Sequence, residues 1–467
     1  MNQLNPEQQS NVKRLIKEYE VMSQKGTVSF HEETVFIDMI DILEEEGKWQ
    51  KAAKIADAAI SQHPFSTDLY LRKAELLLNR NMIDECLVTI DRAELFAPLN
   101  VNLRILRAEL LTAKGAFEEA LSVLDAIKGK TTPVELAEIF STEAYIYEYL
   151  KDFAGMFRSL RRCLLIDPDN IEAYTTLLLL VEKKGYYQES IELHNKLIDI
   201  NAYNWRAWLN LGFAYRGIEQ MQDAIDAFEF VFAIDESCKI AYIEAADLLF
   251  DGGSYNRALL IYENAIFNTH ADAEIIQKLG YCYEKLKDFK SANTCYQRAL
   301  EFDLHDADIY FRLGECAKSQ GQYAKAIEAY KKALKMDAHR EDFHAALADA
   351  YFQADELSKA LFSFRKAAHL APENVTYWLH YTYFLLNIGQ EKMALRAIEM
   401  ANLNCGAPEI EYCRVACLYQ MGKKSEALYR LGEILQCDFD THKTLFHWRP
   451  ELAKNKDMQA VIMSFLP

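Results

Sequence analysis

Apolar residues of matched size recur along the chain at intervals of 34 residues. One series consists of alanines: Ala224, Ala258, Ala292, Ala326, Ala360 and Ala394. A second alanine series lies seven residues further on, at Ala265, Ala299, Ala333, Ala367 and Ala401. Large residues recur between the two series, at Phe228, Tyr262, Tyr296, Tyr330, Phe364 and Ile398. Spacings of three, four and seven residues place side chains on one face of an α-helix, so the pattern predicts repeated helices.

Two further series lie upstream within each interval. Bulky residues stand at Trp208, Tyr242, Ile276, Tyr310, His344 and Trp378, and small residues at Gly212, Ala246, Gly280, Gly314 and Ala348. Together the series resemble the tetratricopeptide repeat, or TPR. The clearest unit, residues 307–340, carries Tyr310, Leu313, Gly314, Gly321, Tyr323, Ala326, Tyr330 and Ala333. We place twelve repeats, which start near residues 33, 67, 101, 137, 171, 205, 239, 273, 307, 341, 375 and 408.

The resemblance implies an all-α fold, a right-handed TPR superhelix or α-solenoid. Each repeat forms two antiparallel helices, A and B, whose small residues allow close approach and whose aromatic residues fill the gaps. A single repeat cannot bury its apolar face, so neighbouring repeats stack and share a core. We assign residues 33–441 to the repeat array, 1–32 to an N-terminal capping helix and 442–467 to C-terminal capping helices.

Two parts of the chain depart from the repeat pattern. The third repeat is longer by two residues within 128–136, and Thr131 and Thr132 before Pro133 are typical of a helix cap. Larger residues replace alanine in the fourth and fifth repeats, at Met156, Cys163 and Leu197, and Ser190 replaces it once. We therefore expect an irregular stack, or a hinge, between about 128 and 200.

The two ends of the chain predict caps. Asn5 followed by Pro6 is typical of a helix start, and an apolar stripe over 6–24 predicts a helix that covers the first repeat. At the other end, the apolar residues expected to cover the last repeat are Phe446, Trp448, Leu452, Met458, Val461, Ile462 and Phe465. The alternative for this segment is that it docks a partner.

Composition narrows the choice of partners. With 17 Gly and 9 Pro among 467 residues, the chain is poor in helix breakers, which favours an all-helical protein. A net charge of −18 argues against nucleic-acid binding and against anionic membranes, while leaving room for a local basic patch. The densest apolar run, 177–181, is too short to cross a bilayer. Ten scattered cysteines favour reduced thiols, so we expect a soluble, cytoplasmic chain.

The sequence offers little catalytic chemistry. We find no P-loop, dinucleotide-binding glycine motif, His-Glu-x-x-His motif or Gly-x-Ser-x-Gly motif. Cys413 and Cys417 lie four residues apart, but no nearby His or Cys pair completes a tetrahedral metal site. His339 and His344 bracket two acids at a helix start, where acids suit the helix dipole. We predict no catalytic, cofactor-binding or metal-binding residue.

In TPR proteins helix A lines the concave groove, and the resemblance implies which of its positions face a bound peptide. These positions give twelve candidate peptide-binding residues: Leu209, Asn210, Phe213, Arg216, Phe250, Lys278, Tyr281, Phe311, Arg312, Glu315, Phe352 and Tyr383. We expect the aromatic residues to be exposed anchors, and the cations to pair with carboxylates or the main chain of an extended peptide. The alternative is that these aromatic residues pack against neighbouring A helices.

Two known modes of TPR binding do not fit this sequence. A carboxylate clamp needs Lys and Asn at the fifth and ninth positions of the repeat before Asn210, where Thr175 and Leu179 stand. An asparagine ladder needs Asn repeatedly at the sixth position, which in repeats two to nine holds Arg72, Leu106, Thr142, Thr176, Asn210, Glu244, Lys278 and Arg312. Any bound segment must therefore be recognised by a different pattern.

These observations lead to a functional hypothesis. The chain is expected to be a non-catalytic scaffold or adaptor that binds a protein or peptide segment in its groove. A second hypothesis is a peptide-sensing regulator that changes superhelical shape on binding, with 128–200 as its hinge. An enzyme is the third class, but only 26 residues follow the repeats, which is too few for a catalytic domain. Self-association is left open.

Overall fold

The computed structural model describes residues 6–24, 32–270, 272–302 and 305–465, and every regular element in these ranges is a helix. The chain divides into two compact units, Met1–Asp235 and Glu236–Pro467. The first unit contains α1 (Pro6–Gln24), α2 (Glu33–Glu45), α3 (Trp49–Gln62), α4 (Thr67–Asn79), α5 (Ile83–Glu94), α6 (Val101–Ala113), α7 (Phe117–Asp125), α8 (Pro133–Leu150), α9 (Phe153–Ile166), α10 (Ile171–Lys184), α11 (Tyr187–Ile200), α12 (Trp205–Gly217) and α13 (Met221–Ile234).

The second unit contains α14 (Lys239–Asp251), α15 (Tyr255–Asn268), α16 (Ala273–Lys285), α17 (Phe289–Ala299), α18 (Ala307–Ser319), α19 (Tyr323–Met336), α20 (Glu341–Gln353), α21 (Leu357–Leu370), α22 (Val375–Asn387), α23 (Glu391–Asn404), α24 (Pro408–Gln420), α25 (Lys424–Cys437), α26 (Lys443–Trp448) and α27 (Lys456–Met463). Short 3₁₀ helices lie at Lys128–Lys130, Asp440–His442 and Pro450–Lys454.

Helices that are consecutive in the chain pack in pairs, and the pairs stack on one another within each unit. The even-numbered helices from α2 to α24 are the A helices, and each is followed by its B helix. Every A helix except α8 begins at the residue where the sequence places a repeat start. The earlier start of α8 at Pro133 has a local cause, because Thr132 and Glu135 form a capping box ahead of it. Each unit is an all-α solenoid, while the right-handed superhelix stays a prediction.

The small and aromatic residues of the repeat fit together across each A–B pair. A Cβ atom on Gly212 would lie 2.6 Å from Cε1 of Phe228, and one on Gly280 would lie 2.6 Å from Cε1 of Tyr296. Both rings are fully buried. The A helix therefore lacks a side chain at the point where the B-helix ring packs against its backbone, which explains why the two series share one register.

The fourth repeat is packed more closely than the sequence predicts. Met156 and Cys163 are buried, and α8 and α9 lie against each other along their length. The residue before Met156 provides the room, because a Cβ atom on Gly155 would lie 2.7 Å from Cδ1 of Tyr147. The larger residues therefore do not separate α8 from α9, while an irregular stack of repeats between about 128 and 200 stays a prediction.

The fifth repeat is the irregular one. Its helices α10 and α11 contact each other much less than the helices of any other repeat, although Ser190 and Leu197 on α11 are buried. Leu178 on α10 stands at the position that Ala144 and Gly212 occupy in the neighbouring repeats. A leucine there prevents the close approach that a small residue permits. A hinge in this region stays a prediction.

A buried ion pair fixes the long connection between the third and fourth repeats. The Glu143 side chain on α8 is only 5% exposed and forms an ion pair with Lys128 of the 3₁₀ turn. The Oγ atom of Ser159 lies 3.4 Å from the same carboxylate. The lengthened segment at 128–136 is thus anchored to the core of the first unit.

Helices outside the repeat pattern cover both ends. At the N-terminus, Val12 and Ile16 of α1 are buried against the first repeat, while Asn5 lies outside the described residues. At the C-terminus, the residues from α26 onward that join the core of the last repeats are Leu445, Phe446, Leu452, Met458, Val461, Ile462 and, just after α27, Phe465. The side chain of Trp448 lies outside the described part of the chain.

Candidate functional site

The A helices of the second unit bring together several of the predicted binding residues. The Lys278 Nζ atom on α16 lies 2.5 Å from the Asp247 carboxylate on α14. On α18, the Arg312 guanidinium lies over the ring of Tyr281 on α16, 5.0 Å from its centroid, and 3.4 Å from the Glu284 carboxylate. The predicted cations are therefore paired with acids of the preceding A helix, and any partner must compete with those acids.

Buried tyrosines of the B helices also donate hydrogen bonds to two acids of this surface. Tyr296 on α17 donates a hydrogen bond to Glu284 at 2.7 Å, and Tyr330 on α19 donates one to Glu315. Glu315 also accepts a hydrogen bond from Lys318 at 2.7 Å. Burial, and then the neighbouring carboxylate, raise the pKa of both tyrosines, so their hydroxyls remain protonated donors.

Residues at the sixth position of several repeats share one structural role. Arg72, Lys278 and Arg312 each contact a carboxylate on the preceding A helix. Asn210 has the same reach, because its Nδ2 atom donates a hydrogen bond to the Tyr174 backbone oxygen at 3.0 Å. In these repeats the sixth position therefore links successive A helices of the stack.

The structure corrects the prediction that Asn210 and Phe213 are exposed. Asn210 is only 4% exposed, and its amide is used by the backbone of the preceding repeat. Phe213 is 8% exposed and packs edge-on against Phe228, with ring centroids 5.3 Å apart. Arg216 covers the Phe213 ring and lies 2.8 Å from Glu182. Of the predicted residues on α12, Leu209 and Arg216 are half-buried, so Asn210 and Phe213 serve the stack itself.

The other predicted aromatic residues are half-buried, between the two alternatives that the sequence left open. Phe311 stacks on Phe343 of the next A helix, with ring centroids 4.7 Å apart. Phe250 packs edge-on against Tyr255, with centroids 5.2 Å apart. A neighbouring helix therefore covers part of each ring, and the rest of the ring is accessible to solvent.

Two predicted residues, Phe352 and Tyr383, line a common pocket of about 440 Å³ in the second unit, which residues of the A helices α18, α20 and α22 form together with Tyr323 and Phe364 of the B helices. Asp349, His380 and Lys318 place charged and polar groups in the same pocket. Burial raises the pKa of Asp349, and the His380 and Lys318 side chains oppose that rise. The positions that the resemblance assigns to the groove include Asp349 and His380 as well as Phe352 and Tyr383, and the structure brings all four to one pocket.

A larger groove, which the sequence-based prediction missed, lies on the A helices of the first unit. It has a volume of about 850 Å³ and is lined by residues of α4, α6, α8 and α10. Four glutamates line it: Glu75, Glu109, Glu138 and Glu172. Its apolar lining includes Leu71, Leu78, Ile105, Leu106 and Tyr145. The signal in the sequence was the absence of a cation at the sixth position of the third, fourth and fifth repeats.

The cysteines and the histidine that the sequence raised as candidate metal ligands or catalytic groups, Cys413, Cys417 and His344, are buried. No group of three His, Cys, Asp or Glu side chains there is arranged to hold a metal ion. Burial raises the pKa of Cys413 to about 12 and that of Cys417 to about 11, so both thiols stay protonated. His344 is buried with its Nε2 atom 3.1 Å from the Ala338 backbone oxygen, which is a structural contact at a helix start.

No described helix has both the length and the apolar character needed to cross a membrane.

Comparison with known proteins gives a consistent picture. Two models of the tetratricopeptide repeat match residues 307–339 and 273–306. The BBSome complex member BBS4 of Bos taurus is 25% identical over 170 residues, which cover 36% of this chain and 31% of BBS4. The TPR repeat-containing protein MJ1428 of Methanocaldococcus jannaschii is 26% identical over 170 residues, which cover 34% of this chain and 30% of MJ1428. This chain thus spans about a third of the length of the curated relatives it matches.

Among solved structures, YrrB, described as a TPR protein with an unusual peptide-binding site, aligns with a TM-score of 0.36 at 21% identity. The alignment covers 39% of this chain and 95% of YrrB.

Proposed function

Since this chain is a tetratricopeptide-repeat protein, we propose that it is a non-catalytic scaffold that binds an extended protein segment on its A-helix surface. The observation that carries the proposal is the pocket on the second unit. There, Phe352 and Tyr383 offer aromatic surface beside the polar groups of Asp349 and His380. Mostly apolar walls with a few polar groups are typical of pockets that take one side chain of a bound segment.

We propose that the aromatic residues contribute more of the binding energy than the predicted cations do. Lys278 and Arg312 are already neutralised by acids of the neighbouring helices, so they contribute less than free cations would. The half-buried rings of Tyr281 and Phe311 are fixed by their neighbours and lose little conformational entropy on binding. We therefore propose aromatic anchoring along α16 to α22, with the pocket as its most specific element.

The titratable groups support a binding role over catalysis. The largest pKa shifts in the described residues belong to buried tyrosines and cysteines, and burial raises them. A raised pKa makes a thiol or phenol less nucleophilic at neutral pH, whereas an activated nucleophile needs a lowered one. The ten free cysteines suit a reducing compartment such as the cytoplasm, which we propose as the location.

A peptide-display selection tests this proposal. Peptides enriched on the intact protein should lose about tenfold in affinity to the double variant Phe352→Ala, Tyr383→Ala, because the walls of the pocket are removed. The matched control is Phe362→Ala, Tyr429→Ala, which removes one Phe and one Tyr from B helices of the same unit, where they are 58% and 67% exposed. Equal loss in both double variants, or no loss in either, counts against the pocket as the binding site.

One observation favours the regulatory alternative as a second candidate. Helices α10 and α11 share few contacts, and we propose this pair as the place where the first unit changes its pitch. A sensor of this kind would bind its peptide and alter the spacing of repeats around α10. Small-angle scattering of the intact chain, with and without a selected peptide, separates the two roles. An unchanged scattering curve at saturating peptide argues for a static scaffold.

A further inference from the structure

The groove on the first unit combines an apolar lining with a single sign of charge. Leu106 at its base is buried, Leu71, Leu78 and Ile105 are half-buried, and Tyr145 is exposed. The charged side chains among the lining residues are the four glutamates of this groove, and no lysine or arginine is present among the described lining residues. A groove of this kind complements a segment that carries both apolar and cationic side chains.

The repeat register shows why Glu109 lacks an internal counter-charge. At the ninth position, Asp41 meets the sixth-position Arg72 of the next repeat at 3.3 Å, and Asp247 meets the sixth-position Lys278 at 2.5 Å. Glu109 stands at the same ninth position in the third repeat. The sixth position that follows it is Thr142, whose hydroxyl donates a hydrogen bond to the Glu138 backbone oxygen at 3.0 Å instead.

The second repeat also has an acid at its ninth position and no cation at the sixth position of the repeat that follows. There, however, the acid has another partner. Glu75 is the ninth residue of the second repeat, and Leu106 stands where the next repeat would supply a cation. Glu75 instead contacts Arg72 of its own helix at 2.9 Å. Glu109 has no such substitute, because no cation or hydrogen-bond donor of the described residues pairs with its carboxylate.

The surroundings of Glu109 are those of a carboxyl group without a counter-charge. Burial raises the pKa of Glu109, and the negative charges of Glu75 and Glu172 raise it further. The groove therefore brings acidic side chains together near the partly buried Glu109, where their charges disfavour one another. A bound cation relieves this repulsion, whereas an acidic peptide or a nucleic acid increases it.

We propose that this groove binds an extended segment of a partner protein that is rich in lysine or arginine and carries apolar residues between them. One cation of the segment takes the place that Arg72 and Lys278 fill in other repeats, beside Glu109. Others face the exposed carboxylates of Glu138 and Glu172, and the exposed Tyr145 ring offers a face to a guanidinium. This inference rests on the proposed scaffold function and adds a second surface with defined partner chemistry.

The test uses a fluorescein-labelled peptide of about ten residues that alternates lysine and leucine, and a counterpart in which glutamine replaces lysine. The intact chain should bind the lysine peptide at least about tenfold more tightly, and added salt should weaken that binding. The double variant Glu109→Gln, Glu172→Gln should lose about tenfold in affinity for the lysine peptide. The control Glu118→Gln, Glu119→Gln removes the same charge from exposed positions on the B helix α7 and should stay within about twofold.

A gain-of-charge variant tests the register argument itself. Thr142→Lys places a cation at the sixth position, as Lys278 does, and should reduce binding of the lysine peptide by about tenfold. Circular dichroism establishes that each variant is folded, and the glutamine variants decide the question if Thr142→Lys does not fold. Equal affinity for both peptides, or equal effects of the groove and control variants, overturns the proposal.

The outcome is separable from that of the scaffold proposal. The variant Phe352→Ala, Tyr383→Ala leaves the first unit unchanged and should retain its affinity for the lysine peptide. Loss of lysine-peptide binding in that variant would place the basic segment on the second unit and overturn this inference. Failure of the glutamate variants alone leaves the pocket of the second unit as the scaffold's binding site.

Discussion

The side chain at the sixth position of a repeat determines whether an acid on the preceding A helix is neutralised. Lys278 neutralises Asp247, and Arg312 lies beside Glu284, so the second unit presents paired charges on its A helices. Asn210 uses its amide on the Tyr174 backbone and adds no charge. A single substitution at this position can therefore convert a self-satisfied surface into one that attracts a charged partner.

Removal of the cation from the buried pair of the first unit should be strongly destabilising. Lys128→Met leaves Glu143 buried without its counter-charge, so we expect the free energy of unfolding to fall by about 3 kcal/mol. Urea unfolding followed by circular dichroism measures the change.

A control variant and a rescue variant accompany that measurement. Lys423→Met breaks an exposed pair with Glu426 at 3.2 Å and should change the stability by less than about 1 kcal/mol. The double variant Lys128→Met, Glu143→Leu should recover most of the loss, because it also removes the isolated charge. Similar small effects of Lys128→Met and Lys423→Met would show that the Glu143 pair is not effectively buried.

His194 should make the first unit sensitive to mild acid. Burial lowers the pKa of His194 from its ordinary value of 6.5 to about 4. Between these values the unfolded chain binds a proton that the folded chain does not, so stability falls as pH falls through this window, by at most about 3 kcal/mol. Below about pH 4 both states are protonated and this contribution no longer changes.

The variant His194→Gln isolates this effect, because carboxylates contribute equally to both proteins. Urea unfolding at several pH values should show a steeper loss of stability in the parent chain than in the variant between pH 6.5 and 4. Parallel curves would mean that His194 is accessible to protons in the folded state.

Among the elements, the A–B pair depends on the missing side chain of the A helix. Alanine is the better helix former by about 1 kcal/mol, yet a Cβ atom on Gly280 meets the buried Tyr296 ring. Gly280→Ala should therefore lower the free energy of unfolding by roughly 1–3 kcal/mol net. Gly432 is a matched control inside α25, where an added Cβ atom meets nothing within 4 Å. Gly432→Ala should stabilise by about 0.5–1 kcal/mol, and the same sign for both variants in urea unfolding would contradict the packing account.

The helices were largely predictable because their packing follows a local pattern. The period of small and aromatic residues places the start of each A helix except α8, where Thr132 and Glu135 extend the helix through a capping box. The sequence predicts irregular packing from larger residues in both the fourth and fifth repeats, but in the fourth repeat Gly155 makes room beside Met156. Leu178 was overlooked because its effect depends on how closely two helices approach, which a one-dimensional pattern does not give.

The candidate site was harder to predict because its side chains are shared between repeats. The sequence placed Asn210 and Phe213 on an exposed face, yet one bonds a backbone oxygen of the preceding repeat and the other packs on Phe228. The pairing of Lys278 with Asp247 also joins residues 31 positions apart. Reading the sixth and ninth positions of successive repeats together would have revealed both the paired surface and the unpaired Glu109.

For the whole molecule, the two units present A-helix surfaces of different chemistry. The first has a groove lined by four glutamates, and the second a pocket with aromatic walls and mixed charge. Four of the 70 acidic residues thus line the proposed binding groove of the first unit, and their charge complements the basic segment proposed for it. A scaffold with two such surfaces can select two segments of different composition.

The most direct test of the scaffold account is site-specific photo-crosslinking to a peptide selected on the intact protein. p-Benzoylphenylalanine is introduced either at Phe352, in the pocket of the second unit, or at Phe362, on the exposed face of the B helix α21. The account predicts crosslinks from position 352 that unlabelled peptide competes away, and none from position 362. A bound peptide that crosslinks from position 362 and not from position 352 would contradict binding on the A-helix surface.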